Sequence, residues 1–117
     1  VPYGQEYGYR GMMQLLSLPE HPTAVFAGND ILAIGALQAV YQSGLDVPGD
    51  ISLLGMDDIY PVSVTRPPLT TIAKQKYKTG RKSVDLLLNR INNNPFVEPK
   101  KIALSCQLQK RGSTRQI

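Results

Sequence analysis

Two short apolar runs constrain this chain more than anything else in it. Residues 23–27 (Thr-Ala-Val-Phe-Ala) and 51–56 (Ile-Ser-Leu-Leu-Gly-Met) are rich in strand formers and lack regular polar alternation. Such runs suit central parallel strands covered on both faces, because a strand with one wet face alternates. Each run stops at polar side chains, Asn29-Asp30 after the first and Asp57-Asp58 after the second. In an open parallel sheet, ligands dock at the carboxyl ends of the strands. Two strands that deliver amide and carboxylate groups to that edge supply what a polar cleft needs.

The segments around the runs read as helices. Over residues 5–18, Tyr9, Met12, Met13, Leu15 and Leu16 recur at helical spacing, and Pro19 and Pro22 end the helix. Gly8 and Gly11 weaken it locally but let a neighbouring element come close. A second helix runs from Asp30 to about Ser43. Ile31, Ile34, Leu37 and Tyr41 form one stripe, widened by Leu32, Ala36, Ala39 and Val40, so the helix is expected to be buried. Asp30 fits its N-cap and Gly44 its C′ position, with Pro48 as a stop.

A rigid turn at Arg66-Pro67-Pro68-Leu69 leads to a short strand at 70–72 and a strong helix over 75–91. Tyr77, Gly80, Val84, Leu87, Leu88 and Ile91 share one face of that helix, and Asn92-Asn93-Asn94-Pro95 ends it. Residues 101–108 alternate, with Ile102, Leu104, Cys106 and Leu108 on one side. They read as a strand in which Cys106 is a small core residue. Arg111-Gly112-Ser113-Thr114 is expected to end the ordered part, with residues 115–117 fraying. The order helix, strand, helix, strand, short strand, helix, strand is that of an α/β fold with a mainly parallel sheet.

Several chemistries are excluded by what the 117 residues contain. One cysteine, Cys106, rules out an internal disulfide, and one histidine, His21, rules out a His-rich metal cluster. No cofactor is expected. Gly28-Asn29-Asp30 lacks the glycine and lysine spacing of nucleotide-binding loops, and no nucleophile elbow is present. The net charge of +4 raises the question of nucleic acid. Its basic residues fall in two sets, 74–82 and 100–115. Neither is interleaved with aromatics, and no helix-turn-helix pattern occurs. No apolar run is long enough to cross a bilayer, so no membrane span is expected. The opening Val1-Pro2-Tyr3-Gly4 reads as loop, and the chain as a piece of something longer.

Six pieces, taken together and in order, resemble the C-terminal part of LacI/GalR-type transcriptional repressors. They are residues 22–30 (PTAVFAGND), 33–37 (AIGAL), 44–48 (GLDVP), 50–58 (DISLLGMDD), 68–72 (PLTTI) and 110–114 (KRGST). The resemblance implies a Rossmann-like, three-layer subdomain of the periplasmic-binding-protein type, here incomplete. Residues 1–117 would then be the second half of the effector core. Residues 73–92 would pack on the missing first subdomain in the intact protein.

The resemblance also implies a cytoplasmic homodimer that meets DNA only through an absent N-terminal helix-turn-helix. Its ligand is expected to be a small polar effector, a sugar, in the cleft between subdomains. Asn29 matches the family's cleft asparagine and Asp57 its cleft aspartate. Tyr3 falls where an aromatic platform is frequent, and Lys74 lies near a position that is often Gln. An aspartate accepting from vicinal hydroxyls, an amide that donates and accepts, and an aromatic face over a pyranose make a coherent sugar site. On this reading Asn29 holds ligand and Asp30 holds the helix. Three other readings remain open at this point: a periplasmic sugar-binding protein of the same fold, an enzyme using Asp30 and Asp57 as acid and base, and a family member whose effector is a protein co-regulator.

Overall fold

The structure is a computed structural model that describes residues 4–93 and 98–116. Its elements in order are α1 (Gln5–Leu16), β1 (Ala24–Phe26), α2 (Asp30–Gln42), β2 (Ser52–Met56), α3 (Tyr60–Val64), β3 (Thr70–Ala73), α4 (Lys76–Asn93) and β4 (Gln107–Gln109). One sheet has the strand order β1-β2-β3-β4. β1, β2 and β3 run parallel, and β4 is antiparallel to β3. The chain divides into two compact units, Val1–Ala73 with Gln107–Ile117, and Lys74–Cys106.

In the first unit the core is built from Met12 of α1, five residues of α2, Val47, Ile51, Leu53, Val62 and Leu69. The α2 contribution is Ala33, Ala36, Leu37, Ala39 and Val40. The helix is buried as the sequence implies, but not along the stripe read from it, since Ile31 and Tyr41 are exposed. The small residues are inside because α1 and α2 meet almost backbone to backbone. A Cβ at Gly35 would stand 1.9 Å from the Gln5 carbonyl oxygen, and one at Gly8 would stand 2.0 Å from that of Leu32. Gly8 thus makes the close approach expected of it, whereas a Cβ at Gly11 would meet nothing within 4 Å. α2 ends at Gly44, where Leu45 N–H donates to Val40 O and Gly44 N–H to Tyr41 O. That bond pair satisfies the last carbonyls of the helix.

Four expectations differ from the structure, two about strands, one about Cys106 and one about the segment after Asp57-Asp58. Among the described residues β1 pairs with β2 alone, and Ala24 and Phe26 are exposed and Val25 half-buried, where cover on both faces is expected from the sequence. An apolar run without alternation reports hydrophobicity, not position in the sheet. The strand read over 101–108 is only Gln107–Gln109. Pairing with β3 begins at Ala73↔Gln107, and residues 101–106 belong to the second unit, where they have no ladder. Cys106 is accordingly exposed and not a core residue. A short helix, α3, follows Asp57-Asp58 where none is expected from the sequence.

The second unit contains α4. Tyr77, Val84, Leu87, Leu88 and Ile91 are exposed along it, Tyr77 at 84% and Ile91 at 68%. The Gln75 side-chain amide donates to the Ser105 carbonyl at 2.8 Å, tying the start of the helix to the end of the same unit. No helix among the described residues is long and apolar enough to cross a membrane.

Two measurements test this packing. Gly35→Ala forces a methyl group into backbone and is expected to cost at least the about 1–3 kcal/mol of overpacking. Gly11→Ala, in open space, should be neutral or stabilising by up to about 1 kcal/mol; urea denaturation separates the two. The second concerns Tyr41, whose hydroxyl donates to the Arg66 carbonyl at 2.6 Å. Burial and then the nearby Asp46 carboxylate hold its phenol above the ordinary value of 10.0. The folded state therefore favours the neutral phenol. That contribution is complete below pH 10 and is lost as pH rises through the raised value. Wild-type protein should lose stability above pH 10 more steeply than Tyr41→Phe.

Candidate functional site

Beyond the last ladder pair between β1 and β2, Phe26↔Leu54, both chains run on for two residues to Asn29 and Asp57. Each is the third residue past that pair, at the carboxyl end of its strand. Ala27 N–H still donates to Leu54 O at 2.8 Å, which carries the register one residue beyond β1. Asn29 and Asp57 are both half-buried. Asn29 and Asp57 thus follow the carboxyl ends of two adjacent parallel strands.

Their local chemistry differs. Asn29 is in extended conformation, and its Oδ1 accepts from Leu32 N–H at 2.7 Å. It is the N-cap of α2, the role that the sequence reading gave to Asp30. The cap uses only Oδ1, so the two hydrogens of Nδ2 stay available in type for a ligand acceptor. Asp57 stands at φ 113 and Asp58 at φ 51. Asp57 N–H donates to Ile72 O at 2.9 Å, which extends the β2–β3 ladder to the residue itself. A non-glycine residue at such φ costs of order 1–3 kcal/mol and persists only where its surroundings hold it.

Asp30 is part of what holds it. The side chain turns inward and is 1% exposed. Thr71 Oγ1 donates to Oδ1 at 2.6 Å, and Ile59 N–H donates to Oδ2 at 2.9 Å. One carboxylate thus joins the start of α2, the middle of β3 and the turn after β2. Gly55 makes room for it, since a Cβ there would fall 2.3 Å from Oδ1. The correction to Asp30 has a plain cause. The extended residue before the helix caps it, and the next residue faces the core, where only hydrogen-bond donors make a carboxylate tolerable.

A second set of polar contacts comes from residues 111–114, which the sequence reading takes as the end of the ordered part. Ser113 is fully buried. Its Oγ donates to Leu53 O at 2.6 Å and accepts from Thr70 N–H at 2.8 Å, while its carbonyl accepts from Leu53 N–H at 2.8 Å. Ser113 therefore stitches β2 to the start of β3. Arg111 Nη1 donates to Leu69 O at 2.9 Å, and Nη2 meets Asp58 Oδ1 at 2.6 Å. Arg115 N–H donates to Ser52 Oγ at 3.2 Å, so residue 115 is also tied back. Asp58 is bound to Arg111, and Ile59 is the N-cap of α3. Thr71, Arg111 and Ser113 are the residues that reading the sequence overlooks. The signal was two threonines inside a short strand and the polar run 110–114, each of which looks like loop chemistry when taken alone.

Tyr3 lies outside the described residues. Lys74 opens the second unit, where its carbonyl accepts from Lys76 N–H at 2.8 Å.

A profile of the periplasmic binding protein-like domain matches residues 2–114. The chain belongs to that domain of the LacI family of regulators. It is 45% identical over 106 residues to the ribose operon repressor of Escherichia coli strain K12, covering 91% of this chain and 32% of that protein. It is 42% identical over 112 residues to the transcriptional repressor CytR of the same strain, covering 96% of this chain and 33% of the repressor. A LacI-family regulator from Enterococcus faecium, solved with bound ribose, superposes with a TM-score of 0.82 at 36% identity over 96% of this chain and 40% of that one. This LacI-type chain spans about a third of the length of the curated relatives it matches. Those relatives are transcriptional repressors.

The buried network of the LacI-type domain predicts a specific cost. Thr71→Val removes the hydroxyl donor to a carboxylate that water does not reach, and should destabilise by about 1–3 kcal/mol in urea unfolding. Thr71→Ser keeps the donor and should recover part of that loss.

Proposed function

We propose that this chain is the effector-sensing part of a LacI-type repressor and that its effector is a small polyhydroxylated molecule of the sugar class. The observation that carries the proposal is that Asn29 and Asp57 each follow the carboxyl end of one of two adjacent parallel strands, three residues past their last ladder pair. An amide that donates beside a carboxylate that accepts matches vicinal hydroxyls, which do both. A site of this kind rejects analogues without those hydroxyls, because its own groups would be left unpaired. The ribose bound to the Enterococcus faecium relative supports the class of ligand.

In the intact protein the effector would lie between this subdomain and another, with Tyr3 and Lys74 as further contacts and residues 73–92 packed on the other subdomain. Effector binding would favour one closure state and so change how a homodimer sets two DNA-reading headpieces. Half-sites displaced from register weaken operator binding without any change in the headpiece itself. A periplasmic sugar-binding protein of the same fold is disfavoured, since the relatives at 42–45% identity are repressors.

The test uses the gene product that contains this chain, in a thermal-shift screen against D-ribose, other monosaccharides, sugar phosphates, nucleosides and purine bases. A ligand at about a hundred times its Kd adds about 2.7 kcal/mol, a shift of several degrees. Asn29→Ala is a poor probe because loss of the cap alone costs about 1 kcal/mol. Asn29→Asp keeps the capping oxygen and replaces the donor amide by an acceptor. It should retain the unliganded Tm while abolishing the ligand shift, and Asp57→Asn should reduce the shift. A ligand shift unchanged in both variants would mean that neither residue touches the effector.

A further inference from the structure

We propose that Arg111 is a positioning residue for the effector cleft: it grips the Asp57-Asp58 turn from the C-terminal segment and so fixes where Asp57 is presented. The inference rests on Asp57 being an effector contact. Three observations carry it.

The turn is strained, with two consecutive non-glycine residues at positive φ. Such a conformation holds only when its neighbours over-determine it. Here Asp57 N–H is bound to Ile72 O at 2.9 Å and Ile59 N–H to Asp30 Oδ2 at 2.9 Å, one on each side of Asp58. Asp58 itself donates from its N–H to Thr71 Oγ1 at 3.4 Å and is gripped at its side chain by Arg111 Nη2 at 2.6 Å.

Arg111 is in turn fixed at three points. Its backbone N–H donates to Thr70 Oγ1 at 3.0 Å, its Nη1 donates to Leu69 O at 2.9 Å, and the next residue, Gly112, donates from its N–H to Pro68 O at 2.9 Å. The guanidinium therefore bridges a carbonyl at the start of β3 and a carboxylate in the turn after β2. The pair is only partly solvated, with 23% of the arginine side chain and 28% of the aspartate side chain exposed. A planar fork can serve both acceptors at once, whereas a lysine ammonium reaching Asp58 has no fixed second prong for Leu69.

One peptide separates Asp58 from Asp57. Releasing Asp58 lets both φ angles relax toward ordinary values and swings the Asp57 carboxylate. Recognition of this type depends on placing first-contact groups to within about 0.5 Å. The core of the unit does not depend on Arg111, because Met12, Leu37, Val40 and Leu53 are buried by α1, α2 and the sheet.

The test compares Arg111→Met, Arg111→Lys, Asp58→Asn, the double variant Asp58→Asn with Arg111→Met, and Tyr9→Phe. Tyr9→Phe removes the 2.7 Å bond to Gln42 on the α1–α2 surface and reports a structural loss remote from the turn. Amide hydrogen exchange and D-ribose affinity by calorimetry are measured on the gene product that contains this chain. Arg111→Met should raise exchange at Asp57 and Ile59 about tenfold or more while leaving Val40 unchanged, and should weaken D-ribose about tenfold. Arg111→Lys should fall between it and wild type. The double variant should be no weaker than Arg111→Met alone, because both changes break one contact. Unchanged exchange at Asp57 and Ile59 would overturn the proposal. So would an unchanged D-ribose Kd in Arg111→Met with a Tm loss like that of Tyr9→Phe. Raised exchange beside a wild type that ignores D-ribose supports the clamp and removes the sugar reading instead.

Discussion

The buried carboxylate of Asp30 is the interaction on which the rest of this unit depends. A charge-bearing side chain at 1% exposure is tolerated only because a hydroxyl and a backbone amide both point at it. Those two donors come from β3 and from the turn after β2, and the carboxylate itself comes from the first residue of α2. Three segments far apart in sequence are thereby fixed at one point. Gly55 lies opposite, and no larger residue would leave the carboxylate its place.

Fixing that point has a consequence for the sheet edge. The Asp57-Asp58 turn adopts backbone angles that non-glycine residues avoid. It is held from inside by Asp30 and from the C-terminal segment by Arg111. Residues 111–114 therefore belong to the architecture of the cleft edge and not to a tail. Ser113 substitutes side-chain and backbone bonds for the ladder where β2 and β3 begin, so the same short segment joins the two strands at one end and steadies the turn at the other. Capping and ligand recognition also coexist in one residue: Asn29 spends its oxygen on the helix and keeps its nitrogen for another partner.

Much of the fold was legible from local signals. The 3.6-residue periodicity of α1 and α4, the burial of α2, the Gly44 stop and the strand character of 24–26 and 52–56 all follow from side-chain spacing and backbone preference. That Asn29 and Asp57 follow the ends of adjacent parallel strands was foreshadowed by two apolar runs ending in polar pairs. Errors arose where a local signal has two meanings. An unalternating apolar run can be a central or an edge strand, and among the described residues β1 pairs with β2 alone. Alternation over 101–108 can be a ladder only where a partner strand is present, and the partner begins at Ala73. Two adjacent polar residues before a helix can cap it in either order, and the extended backbone at Asn29 decided which one does.

By itself the sequence determined the class of the fold, its family and the edge of the sheet at which polar groups gather, because these rest on patterns of neighbouring residues. Only the tertiary structure decided which carboxylate is buried, which arginine meets which aspartate and which glycines admit a neighbouring backbone or side chain. Asp30 and Thr71 are 41 residues apart and Asp58 and Arg111 are 53 apart. No local preference encodes such a pairing. It is set by the parallel register of β2 with β3, by the close contact of α1 with α2, and by the need of every buried polar atom for a partner.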